Sequence, residues 1–290
     1  MNQSLLPTGI SSHKLYLEGQ NFNIHYLEAG DQNSSDEVIL LVHGWPTSSF
    51  LYRDMMVPLS QHHKVIAIDL PGFGDSDKDA NASFSFRYHA EIIQGLINTL
   101  GIKKVHLAVH DLGGPIALWW AKQHEEIIAS YVLLDTIIYP EFSWAVKLFV
   151  GMTMMPGVKI WFSSPAGLKF AMKLGIKNKA RLTKQVLGAY QAPFQSKVDR
   201  TALLLSASKL HIKGFDDIAK HIETTDKPIC MVYAENDVIL PEISETFSKV
   251  KTAQPSASLH SVSHCGHFLQ EDRPEEVLKP MMAFYQKLKS

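Results

Sequence analysis

Cysteine is nearly absent from this chain: Cys230 and Cys265 are the only two in 290 residues. One disulfide is arithmetically possible, but so sparse a count reads as free thiols in a reducing compartment and argues against a disulfide-stapled secreted scaffold. An excess of charge is missing too. Lys and Arg number 28 against 29 Asp and Glu, and no basic run marks a face for nucleic acid or acidic lipid. A long hydrophobic run is also lacking. The longest uncharged stretch, Leu148 to Val158, lies between Lys147 and Lys159 and is broken by Gly151, Pro156 and Gly157. That is too short and too interrupted to span a bilayer, which takes about 20 apolar residues. Its Met152, Met154 and Met155 read most simply as buried packing, a pliable pocket wall or contact with a membrane surface being the other readings. The start, Met1-Asn-Gln-Ser-Leu-Leu-Pro7, has neither the positive charge nor the apolar segment of a signal peptide, so a cytoplasmic location without stable membrane insertion is expected. No ligand spacing suggests a metal, and Gly72-Phe-Gly74 does not continue into a dinucleotide fingerprint. The expectation is a protein without cofactor or metal, whose partners are a small apolar molecule and water.

What is present is a large core and a regular rhythm. Hydrophobic residues make up 46% of the chain, enough for one domain carrying an insertion. Phe22 to Leu27, Val38 to His43, Lys64 to Ile68, Val105 to Val109, Tyr131 to Leu134 and Ile229 to Tyr233 read as strands. Several are unbroken apolar runs of the kind buried on both faces of a sheet. Between them lie helical patterns over Phe86 to Leu100 and Gly114 to His124, with another at Glu275 to Leu288. Such alternation predicts an α/β fold with a mostly parallel sheet flanked by helices, its working loops at the carboxyl ends of the strands. The rhythm fails from about 137 to 215, where Trp, Met and Phe accumulate among short helical patterns broken by Pro140, Pro156, Pro165 and Pro193. The last strands are still needed to complete the sheet. Residues 137–215 therefore read as an α-helical cap inserted into a core formed by 1–136 and 216–290.

One run concentrates the chemistry. Val105-His-Leu-Ala-Val-His110-Asp111-Leu112-Gly113-Gly114-Pro115 is a strand, an ionisable residue, two glycines and a helix start, the pattern of a nucleophile elbow. The middle position holds Asp where Ser is usual. A carboxylate with an ordinary pKa of about 3.9 is ionised near neutral pH and needs no base to become a nucleophile. It suits displacement at saturated carbon better than attack on simple esters or peptides. Three further segments belong with it. His43-Gly44-Trp45-Pro46 ends a strand and can aim the amide of residue 45 at the elbow. Glu235-Asn236-Asp237 offers a carboxylate at a strand end, and His264-Cys-Gly266-His267 offers an imidazole before the last helix. The order nucleophile, acid, His is that of an α/β-hydrolase triad.

These segments resemble the Asp-nucleophile branch of the α/β-hydrolase superfamily, which includes haloalkane dehalogenases and epoxide hydrolases. The resemblance rests on His43-Gly-Trp-Pro-Thr-Ser-Ser, Asp69-Leu-Pro-Gly-Phe-Gly-Asp-Ser, the elbow, and Gly266-His-Phe-Leu-Gln-Glu-Asp-Arg-Pro274, with Tyr190-Gln-Ala-Pro-Phe194 and Arg200 in the cap. It implies that Asp111 forms an ester with the substrate and that His267 activates the water that cleaves it. It also implies that the amides of Trp45 and Leu112 hold the oxyanion. The acid is Asp237 by preference, with Asp135 as the alternative that some haloalkane dehalogenases use. A departure stands at Leu112: those enzymes carry a Trp there whose indole holds the departing halide, and Leu has no donor. Trp45, Trp144 or Trp161 could supply an indole instead, although buried packing is the plainer reading of the two cap tryptophans. Tyr139 and Tyr190 are the cap candidates for protonating an epoxide oxygen. Trp144, Tyr139 and Tyr190 are thus the expected substrate contacts, and a strained lactone or a non-catalytic binding protein are the other readings.

The remaining polar residues carry blander expectations. Asp69, among Gly and Pro, should brace a turn, and His110 should be a packing or hydrogen-bonding neighbour of the elbow. Cys265 has no elbow and is not expected to be a nucleophile. Trp119 and Trp120 should be core.

Overall fold

A computed structural model describes residues 3–31, 36–61, 63–209 and 213–289. Eight strands, β1 (Ile10–Leu17), β2 (Phe22–Ala29), β3 (Glu37–Val42), β4 (Lys64–Ile68), β5 (Lys104–Asp111), β6 (Ile128–Thr136), β7 (Ile229–Ala234) and β8 (Ser258–Val262), form one sheet in the order β1-β2-β4-β3-β5-β6-β7-β8. From β4 to β8 all neighbours are parallel, and β2 runs antiparallel to β1 and β4. The six expected strands are present. Sequence reasoning missed the two at the edges. β8 keeps exposed positions and β1 is only partly covered, so neither carries the apolar run of a central strand.

Core helices α1 (Arg53–Leu59), α2 (Phe86–Thr99) and α3 (Gly113–Ala121) precede the insertion. The insertion holds α4 (Trp144–Met154), α5 (Pro156–Phe162), α6 (Pro165–Gly175), α7 (Lys184–Gln191) and α8 (Lys197–Ser208), with no strand among the described residues. Then follow α9 (Lys213–Thr224), α10 (Ile243–Ala253), α11 (Leu269–Asp272) and α12 (Pro274–Lys289). Four of the five cap helices start on local chemistry: Ser143, Ser164, Thr183 and Ser196 accept from a first-turn amide as N-caps of α4, α6, α7 and α8, and Pro165 opens α6. Apolar clusters cover both faces of the sheet. Ile66, Leu107 and Leu133 pack against α2 and α3 on one side, while Ile39, Ala108 and Val232 pack under α1 and α12 on the other. Trp120 is fully buried and donates to Gln94, as expected of core, whereas Trp119 is half-buried and stacks on Phe86. Cys230 and Cys265 are both buried free thiols. No helix among the described residues is long and apolar enough to cross a membrane.

Candidate active site

Asp111 is the last residue of β5, and its φ of +50° turns the chain so that the carboxylate stands above the sheet. That left-handed backbone is uncommon outside glycine and marks the elbow as a strained position held by its surroundings. Thr136 holds it from β6 by donating to the Asp111 carbonyl at 2.7 Å. Two glycines make the approach possible. A Cβ on Gly114 would lie 1.6 Å from the Thr136 hydroxyl oxygen, and one on Gly44 would lie 2.2 Å from Asp111 Oδ1. The His43-Gly44 loop is fixed in turn by the His43 ring, whose Nε2 accepts from the Leu70 amide at 3.1 Å while Nδ1 faces the Gly44 carbonyl at 2.9 Å.

Around Asp111 the four segments converge. The Trp45 amide donates to Oδ1 at 2.7 Å, and the Leu112 amide also donates to the carboxylate. His267 Nε2 stands 3.3 Å from Oδ2, an ion-pair contact at the long end of hydrogen-bond reach. On the far side of the ring, Nδ1 is 2.7 Å from Asp237 Oδ2, and Asp237 Oδ1 accepts from the amides of Ile239 and Leu240 at 2.7 and 2.9 Å. Burial opposes charge on His267, but the carboxylates of Asp237 and Asp111 outweigh it and hold the imidazolium well above its ordinary pKa. The converse holds for both acids. Burial alone would raise Asp111 and Asp237, and the facing imidazolium brings each below the usual carboxylate value.

Asp135, the alternative acid, ends up in another role. Its carboxyl group accepts from the Ala234 amide at 3.1 and 3.3 Å and lies beside Asp237 and His267 without taking the Nδ1 contact. Burial and then the neighbouring Asp237 charge push its pKa well above the ordinary range. His110 is fully buried, and its Nε2 faces the His267 carbonyl at 2.9 Å; desolvation drops its pKa to about 3, so it is neutral. Asp69 braces its turn as expected, taking the amides of Ser49 and Asp75 and a contact with His25. Cys265 is buried, and desolvation raises its thiol far from reactivity.

Above the carboxylate, between core and cap, lies a cavity of about 610 Å³ in which Asp111 is the only ionisable lining residue among those described. Trp45, Leu112 and Phe268 line it from the core, and Trp144, Trp161 and Phe170 from the cap. Two cap expectations need correction. Tyr139 turns outward and donates to Glu223 at 2.9 Å, and Tyr190 is buried, packs edge-on to Phe50 and donates to Glu271 at 2.8 Å. A buried phenol must find an acceptor, and each finds a carboxylate away from the cavity. Buried packing also fails as the reading of the cap tryptophans, since Trp144 is 70% and Trp161 44% exposed on the cavity rim. Met152 lines the cavity and Met155 is exposed, while the Met154 side chain, like Met1 and Asn2, lies outside the described residues.

Sequence reasoning also passed over the support beneath the His267 loop. Arg53 on α1 makes two hydrogen bonds to Glu271, at 2.6 and 2.7 Å, over the Phe50 ring. Asp272 accepts from the Gly266, Lys177 and Asn178 amides at 2.8, 2.8 and 2.7 Å, which ties that loop to the cap. The acidic pair inside an apolar segment was visible in sequence; its basic partner 218 positions away was not.

Residues 37–158 match the family described as alpha/beta hydrolase fold. Over 300 residues, covering 97% of the chain and 90% of the relative, it is 27% identical to the cis-3-alkyl-4-alkyloxetan-2-one decarboxylase of Shewanella oneidensis. To a haloalkane dehalogenase of Psychrobacter cryohalolentis it is also 27% identical, over 288 residues that cover 92% and 88% of the two chains. Among solved structures, haloalkane dehalogenase DbeA from Bradyrhizobium elkani superposes with a TM-score of 0.83 at 22% identity, across 97% of this chain and 99% of that one. At that identity the likeness is one of fold.

Proposed function

We propose that this member of the α/β-hydrolase superfamily, an α/β-fold hydrolase, forms an ester between Asp111 and a small apolar electrophile and then hydrolyses it. One observation carries the reading: a lone carboxylate on the floor of an apolar cavity, with two amides and an imidazolium trained on it. In the first step an Asp111 oxygen bonds to the electrophilic carbon while the bond to the leaving atom breaks and its electron pair departs. The apolar walls leave the carboxylate poorly hydrated and therefore reactive. Alkylation removes the negative charge of Asp111, so His267 loses one of the two carboxylates that keep it protonated. Its proton passes to the displaced group or to water, and the neutral Nε2 becomes a base only after the ester exists. Water gives a proton to Nε2 and attacks the ester carbonyl carbon. The Trp45 and Leu112 amides hold the oxyanion, each such donor contributing about 3–4 kcal/mol, and Asp237 stabilises the imidazolium. Collapse expels the alcohol, which takes the proton from His267, and the carboxyl proton that water left on Asp111 then passes to Nε2, which restores both the carboxylate and the imidazolium.

A strained lactone is the second reading, and specific observations favour it. Leu112 offers no halide donor, both cap tyrosines are turned to carboxylates outside the cavity, and a relative matched across 97% of this chain is named for an alkyl oxetanone. Ring strain would supply the driving force that an indole or a phenol otherwise provides.

The test is intact mass of His267→Ala after exposure to 1-haloalkanes, alkyl epoxides and alkyl oxetanones. A stable substrate-sized adduct on Asp111 is the expected result, and the panel member that gives it names the leaving group. No adduct from any class overturns the aspartyl-ester reading.

A further inference from the structure

We infer that the cap is a docking surface for an anionic lipid bilayer, seated so that the mouth of the cavity opens against the membrane. The balanced total charge hides a division. Residues 137–215 carry twelve Lys and Arg against two Asp and Glu, leaving sixteen against twenty-seven in the rest of the chain. The cap is thus strongly cationic on an anionic core. Its helices also expose large apolar side chains, among them Trp144 at 70%, Ile160 at 64%, Met155 at 56% and Leu148 at 52%. The two features are interleaved: Lys147 precedes Leu148, Lys159 precedes Ile160, Lys169 precedes Phe170 and Lys173 precedes Leu174, every residue of these pairs being exposed. Neighbours in a helix lie about 100° apart, so each apolar side chain has an ammonium group at its flank. None of those four lysines makes an ion pair among the described residues, and the cap's acids are few: Asp199 is occupied in the α8 capping box.

Apolar side chains with flanking lysines are the composition of a helix that lies in the bilayer interface, the rings and aliphatic groups entering the acyl boundary and the ammonium groups meeting lipid phosphates. A second copy of this chain is the competing occupant, with its anionic core against this cationic cap. Trp144, Leu148 and Phe170, however, line the cavity as well as the exposed surface. A protein seated there would close the entrance, whereas a bilayer leaves it open to apolar molecules dissolved in the lipid. Docking is independent of the chemistry at Asp111; only delivery of substrate from the bilayer rests on the proposed function.

Co-sedimentation of the full chain with phosphatidylcholine vesicles and with vesicles containing phosphatidylglycerol tests the inference. Binding is expected only to the anionic vesicles, weakening as salt rises, with a blue shift of tryptophan emission. Lys147→Gln and Lys159→Gln should each weaken partitioning about fivefold while turnover of a short water-soluble substrate stays unchanged. Met155→Ser with Ile160→Ser should remove the binding while the melting temperature is retained. Three results overturn the inference: no binding to anionic vesicles at low salt, partitioning indifferent to the lysine substitutions, or a dimer in sedimentation velocity that Ile160→Ser dissociates.

Discussion

Asp237 and Asp135 are both buried beside His267, and what separates them is the group that faces each charge. Asp237 has the imidazolium at 2.7 Å and two amides, so ionisation is favoured despite burial. Asp135 has one amide and the like charge of Asp237, so its protonated form is favoured. The two carboxyls therefore behave as one site sharing a proton. Asp237→Asn should lower turnover by a factor on the order of 10⁴, as when an orienting acid becomes its amide, while Asp111 still accumulates the adduct that mass spectrometry detects. Asp135→Asn should leave turnover near that of the native enzyme. A carboxyl whose folded pKa is raised stabilises the fold below its ordinary pKa of about 3.9 and loses that contribution as pH rises through the folded value. Asn cannot ionise. The melting temperature of Asp135→Asn relative to the native chain should accordingly rise with pH from about 4 upward, and a difference that stays flat would contradict the protonated assignment.

At the scale of elements, the site is a set of strand ends held from below. β3, β5, β6 and β7 deliver Trp45, Asp111, Asp135 and Asp237 to one edge of the sheet because parallel strands place all their carboxyl ends together. His267 lies on the longer loop that leaves the end of edge strand β8. Its loop is held by α11, where Glu271 takes Arg53 and Tyr190, and Asp272 takes backbone from loop and cap. Arg53→Ala would leave the buried Glu271 carboxylate with only its longer ion pair to Arg181 at 3.8 Å. The expected cost is about 3–5 kcal/mol of unfolding free energy, read from urea denaturation, with a fall in turnover as the His267 loop loosens. The acids and the Arg were all in plain view in the sequence, but nothing in their spacing joined α1 to α11. Edge strands β1 and β8 escaped detection for a different reason, since the alternation that reveals a strand needs one face buried along its length.

For the molecule as a whole, the cavity between core and cap sets what can be recognised. With about 610 Å³ of almost purely apolar space, affinity must come from burying hydrocarbon. Each added methylene contributes about 0.8 kcal/mol, so kcat/KM across a homologous series of electrophiles should climb by up to about fourfold per CH₂ until the cavity is full. A flat series would mean that the substrate binds elsewhere. The same cap that covers the cavity carries most of the exposed large apolar side chains and the excess of positive charge, so the proposed membrane contact and the cavity mouth would share one face of the protein.

The sequence by itself determined the layered α/β architecture, and it pointed to a helical insertion over residues 137–215 and to a site made of Asp111, His267 and either Asp237 or Asp135. Those conclusions rest on local signals: unbroken apolar runs, a strand-Asp-Gly-Gly-helix turn, and chain order. Only the tertiary structure decided that Asp237 rather than Asp135 faces Nδ1, that Tyr139 and Tyr190 turn to carboxylates, and that Trp144 and Trp161 stand at a cavity mouth. Each of these depends on which distant groups share a buried volume. Residue type records that a phenol or a carboxyl needs a partner, and only packing selects the partner it gets.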